Sequence, residues 1–108
     1  MNPQSVYEKL VKLGHDWADK ERAANLLESS LKSYKAKLAI EFKDSGCGVA
    51  EADLKAEASQ DYTDAKSAFI NARAESMKAK VNYFAAQEYF KMYTELEKSE
   101  RFSAKYQT

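Results

Sequence analysis

Residues 65–93 read AKSAFINARAESMKAKVNYFAAQEYFKMY, and the spacing inside this stretch decides the fold. Alanine stands at 65, 72, 79 and 86, while Tyr62, Phe69, Ser76, Tyr83 and Phe90 make a second row with the same step of seven. Two such rows, offset by three and four residues, are the a and d positions of a helix that buries one stripe against another helix. The a row is bulky except at Ser76, and the d row is alanine until Tyr93. Small residues let two backbones approach, and the rings beside them fill the gaps. The pattern predicts a helix from about residue 60 to about 103.

A partner helix precedes it. Leu10, Leu13, Trp17, Ala24, Leu27, Leu31, Tyr34 and Leu38 recur in alternating steps of three and four, with Lys20 filling the skipped position. This heptad predicts a first helix over about 5–44, with Ser5 as N-cap and Glu8 completing a capping box. Gly14 is its weak point, costing about 1 kcal/mol relative to alanine, and is expected to mark a kink or a separate first turn. The sequence DSGCG at 44–48 ends the helix, with Gly46 suited to the left-handed position that closes it. VAEADLKAEAS, 49–59, reads as a short elbow helix, with Ser59 as the break before the last helix.

Composition agrees. The chain of 108 residues is 44% hydrophobic and 31% charged, with one proline, three glycines and few β-branched residues. Ala, Glu, Lys and Leu with few breakers are the profile of long helices. Two helices of roughly 40 residues are each about 60 Å long, too long to wrap a globular centre in so short a chain. The expected fold is all-α. Two long antiparallel helices form a single helical-hairpin domain over 1–108, with a turn at 45–48 and a short helix at 49–59.

The last helix carries a second apolar face. Ile70, Met77, Val81 and Phe84 share one side, well round from the heptad stripe, and Tyr89, Met92 and Leu96 continue its apolar character. A helix greasy on two sides needs two partners. The expectation is a homodimer of hairpins, a four-helix arrangement in which Ile70, Met77, Val81 and Phe84 form the self-association face.

Chemistry is harder to find. His15 is the single histidine, and neither Glu-x-x-His pairs nor His-Glu-x-x-His occurs. Cys47 rules out an intrachain disulfide and has no base placed beside it by local pattern. Ser45-Gly46-Cys47-Gly48 is too short for a phosphate loop. No catalytic residue, cofactor or metal is expected, and the chain reads as a non-enzyme. Lys plus Arg and Asp plus Glu both number 17, so neither a phosphate-driven binder nor an acidic mimic is indicated. Lysines at 32, 35, 37 and 43, with Lys78, Lys80 and Lys91, leave nucleic acid as the less favoured partner. No apolar run reaches the roughly 20 residues that span a bilayer, and MNPQSVYEKL lacks a signal-peptide pattern. A cytoplasmic protein with no membrane contact is expected. The displayed tip and elbow, with Asp44, Cys47, Glu51 and Asp53, form the expected surface for a protein partner, because a turn between rigid rods is exposed and tolerant of change.

Residues 21–75 also carry a resemblance. Glu21-Arg22, Tyr34-Lys35, Gly46, Val49 to Glu51 and Lys55 to Ser59 follow an order similar to that of small helical-hairpin accessory proteins encoded by tailed phages and prophages. The resemblance implies an early-gene accessory near replication or recombination functions, in the host-cell cytoplasm, with no settled activity. A structural spacer or scaffold is the remaining alternative.

Overall fold

The computed structural model describes residues 2–106, nearly all of them helical. The elements are α1 (Pro3–Asp44), α2 (Val49–Ala58) and α3 (Gln60–Tyr106), and no strand occurs among the described residues. The molecule is a rod of 88 × 20 × 16 Å. Trp17 meets Tyr83, Glu28 meets Arg73 and Lys35 meets Glu57. Numbers rise on one arm as they fall on the other, so the hairpin is antiparallel.

Each boundary has a local cause. The α1 cap is Asn2, not Ser5: the Asn2 side chain accepts the Gln4 N–H at 2.9 Å, and Pro3 follows at the first helical position. Asparagine is as good a cap as serine, and proline there lacks only an N–H that would have been orphaned. The helix therefore starts before Ser5, and Glu8 accepts from the Gln4 side chain at 3.1 Å. At the other end Gly46 N–H donates to the Lys43 carbonyl at 3.0 Å and Cys47 N–H to that of Phe42 at 3.1 Å. This is a Schellman closure, and Gly46 takes the φ of 101° that it requires.

Ser59 serves two helices. Its hydroxyl donates to the Ala56 carbonyl at 2.9 Å, closing α2, and accepts the Tyr62 N–H at 3.2 Å, capping α3. With ψ of 145° at this one residue, the chain steps from α2 to α3. The elbow helix does not fold across the tip. At 1.5 Å per residue α2 and α3 end to end measure about 85 Å, which matches the rod, and α2 packs chiefly along α1. The returning arm is thus α2 followed by α3, and the tip is the turn at 45–48.

The heptad stripe is the inner face. On α3 every a and d position from Tyr62 to Tyr93 is buried or half-buried. The most enclosed residues are small: Ala24, Ala52, Ala56, Ala79 and, at 4% exposure, Ser76. Ala24 lies between Trp17 and Glu28 in α1, as Ser76 and Ala79 lie between Arg73 and Tyr83 in α3. The smallest residues of both arms therefore share one level. Small residues at that level let the two backbones approach closely. Among the described residues no large side chain is fully enclosed. The reason is geometric, since a ring on a two-helix layer is covered from one side only. On α1 the stripe drifts: Leu27 is at the edge of exposure, Glu41 is exposed and Phe42 replaces it inside. A straight helix slips about 20° per heptad against a strict repeat of seven, which accounts for the change over four heptads.

Candidate interaction surfaces

Two surfaces carry the expected site residues: the tip and the outer face of α3. At the tip, Asp44 is the last residue of α1 and is exposed, and Cys47 is half-buried in the turn. Glu51 and Asp53 are exposed on the first turns of α2, where negative charge suits a helix start. The structure brings Cys47 and Glu51 together through one cation. The Lys55 ammonium lies 3.4 Å from Cys47 Sγ and 3.3 Å from a Glu51 oxygen. These contacts, Cys47 first, hold the Lys55 pKa above its ordinary value. Asp44 and Asp53 stand apart from that group, though Asp53 adds its charge to the field at Lys35.

Behind the tip, two contacts tie the returning arm to α1. Lys35 donates to Glu57. That bond pushes the Lys35 pKa up and is the leading cause that draws the Glu57 carboxyl below the usual range. Tyr34 faces Asp61 at the start of α3; burial first and that carboxylate second raise the phenol pKa. The acidic stretch of the elbow is thus partly neutralised within the chain. Sequence alone did not show this, because Lys35 and Glu57 are 22 residues apart.

The outer face of α3 is different. Ile70 is 53% exposed, Met77 62%, Val81 65% and Phe84 42%. Met77 and Ala79 are separated by 200° around the helix axis, so this row points away from the inner stripe. Neither α2 nor the N-terminal turns of α1 fold over it. Exposed Ala74 and Ala85 complete the steps of three and four, giving an apolar strip about 22 Å long. Phe84 is the least exposed because it leans on the indole of Trp17, with centroids 5.5 Å apart, and meets Tyr83 edge-on at 5.4 Å.

One edge of the strip is basic. Lys66, Arg73 and Lys80 follow each other at steps of seven. Arg73 is engaged: its Nη2 donates to Asn25 at 2.8 Å and to Glu28 at 3.3 Å, and its guanidinium lies 5.7 Å from the centroid of the Phe69 ring. Lys80 sits 5.8 Å from the centroid of the Trp17 indole. These contacts draw two of the three cations toward α1, so the edge is not an open phosphate track.

Sequence reading missed the triad of Trp17, Tyr83 and Phe84, because nothing local joins a residue of α1 to two residues of α3. It also missed exposed Leu26 and Ile40 on α1, which fall off the heptad and carry no periodic signal. Among the described residues no three of His, Cys, Asp and Glu converge as metal ligands, and Asp16, beside His15, pairs with Lys20 at 3.3 Å. No helix is long and apolar enough to cross a membrane among the described residues. The geometry defines a two-helix rod with an unpartnered apolar strip on the outer face of α3. Comparison with known proteins finds no family model, no curated protein and no solved structure that matches the chain.

Proposed function

We propose that this chain is a non-enzymatic helical-hairpin protein that self-associates through the outer face of α3 and works by binding a macromolecular partner. The observation that carries the reading is the exposure of Ile70, Met77 and Val81 in one row, more than half of each side chain meeting water. Contiguous exposed apolar patches larger than a few hundred Å² are rare on monomeric soluble proteins and mark interaction sites, and removing apolar surface from water contributes about 25 cal/mol per Å². In the assembled form the tip, with Asp44, Cys47, Glu51 and Asp53, stays free at the end of the rod and meets a protein partner. The resemblance to phage and prophage accessories favours a partner in host or phage DNA-processing machinery, in the cytoplasm.

Sedimentation equilibrium tests the self-association. The wild-type protein is expected above the 12.2 kDa chain mass, and Val81→Glu, which buries a charge in the contact, at the chain mass with unchanged helical circular dichroism. A wild-type chain of 12.2 kDa across the accessible concentration range removes the proposal. Direct binding of nucleic acid through the lysines is the weaker reading, since Arg73 and Lys80 are held by α1.

A further inference from the structure

We infer that the occupant of the α3 strip is the α3 strip of a second copy, running antiparallel, with the two-fold axis level with Ala79. The inference rests on the self-association reading and adds its direction and register.

The strip has its own heptad, shifted from the inner one: Ala74, Val81 and Glu88 form one row, and Ile70, Met77, Phe84 and Lys91 the other. Antiparallel helices place the residues of one row opposite those of the other. About an axis at 79, Ala74 faces Phe84 of the second copy and Met77 faces Val81, and each layer recurs on the far side of the axis. Every apolar layer thereby sets a large side chain against a small or medium one, the condition for filling space without voids. A parallel pair would stack Ala74 on Ala74, leaving a gap, and Phe84 on Phe84 in the same contact.

Charge separates the two directions further. Glu88 and Lys91 end the strip on one side, and Asp64 and Lys66 flank it on the other. In the antiparallel register Glu88 lies opposite Ile70 and within about a turn of Lys66 of the second copy, and Lys91 lies opposite Ser67, next to Lys66 and within a turn of Asp64. In the parallel register Glu88 meets Glu88 and Lys91 meets Lys91, both partly desolvated, which is unfavourable. The antiparallel register has two like-charge approaches of its own, Lys91 beside Lys66 at the ends and, near the axis, Lys78 and Lys80. The ammonium groups near the axis are drawn aside within their own chain, Lys80 over Trp17 and Lys78 to Glu75 at 3.4 Å.

Cysteine pairing reads the register directly. In a Cys47→Ser background, Ile70→Cys and Glu88→Cys are made separately and oxidised alone or mixed, with the mass of each sample taken by sedimentation. The register predicts a disulfide-linked dimer in the mixture, several-fold more abundant than in Ile70→Cys alone, where the two thiols lie about 27 Å apart along the axis. A dimer in which Ile70→Cys links to itself as readily, or in which the mixture does not link, overturns the register and leaves self-association standing. A sample at the chain mass throughout overturns both.

Discussion

The Tyr83 ring approaches to 3.4 Å from the point a Cβ would occupy on Gly14. The α1 helix runs through Gly14 unbroken, so no separate first turn ends there. The glycine instead lets the ring lie against the α1 backbone, next to Trp17. At 3.4 Å an alanine methyl group makes ordinary contact with the ring, and alanine also restricts the unfolded chain. Gly14→Ala is expected to raise stability by about 0.5–1 kcal/mol. A thermal melt showing a lower midpoint than wild type would refute that account of the contact.

The glycines of the turn should respond in opposite ways. Gly46 has a φ of 101° with open space around its Cα, so its requirement is conformational alone. Gly46→Ala puts a Cβ in the left-handed region and should cost about 1 kcal/mol. Gly48 is extended, with φ of −68°, also in open space. Gly48→Ala should change urea stability by less than about 0.5 kcal/mol. Equal losses at both positions would show that the Schellman closure is not what Gly46 supplies.

The repeat of seven made the hairpin legible because burial on α3 follows it residue by residue, from Tyr62 to Tyr93. The outer strip of Ile70, Met77, Val81 and Phe84 was legible for the same reason: four large apolar residues on one side of a helix announce themselves without coordinates. What stayed hidden was contact between distant positions. Nothing local connects Lys35 to Glu57, or Gly14 to Tyr83. The start of α1 was misread because Ser5 and Glu8 satisfy a capping rule that Asn2 and Pro3 satisfy as well, one turn nearer the terminus. For the tip, exposure was readable but the role of Lys55 in gathering Cys47 and Glu51 was not, and a surface of that kind names no partner.

The Lys35–Glu57 bond should leave a mark on acid stability. Glu57 has its carboxyl drawn below the ordinary value of 4.5 by the Lys35 hydrogen bond. A carboxyl depressed in the folded state favours folding above its unfolded pKa, and that support is lost as pH falls through the folded value. Carbon-detected NMR should find Glu57 titrating below the ordinary 4.5. Lys35→Met should return it to the ordinary range and remove the matching part of the loss in stability below pH 4.5. Lys35, raised by the same bond, contributes below its ordinary 10.5 and ceases to do so as pH climbs past the folded value. An unshifted Glu57 titration would mean the bond is not formed in solution.

Arg73 joins three groups that hold the middle of the rod. A single Nη2 serves Asn25 and Glu28 while the guanidinium plane covers Phe69. Exposed ion pairs alone contribute little, but a guanidinium whose stem and plane also cover a ring adds packing and cation–π attraction. Arg73→Ala is expected to lower urea stability by about 1–2 kcal/mol. Arg73→Lys should recover less than half of that, since an ammonium lacks the flat guanidinium that lies over the Phe69 ring. A double-mutant cycle with Glu28→Gln apportions the ion pair from the rest. A coupling close to the whole loss would assign Arg73 to charge alone, whereas the geometry expects the larger part to persist when Glu28 is neutral.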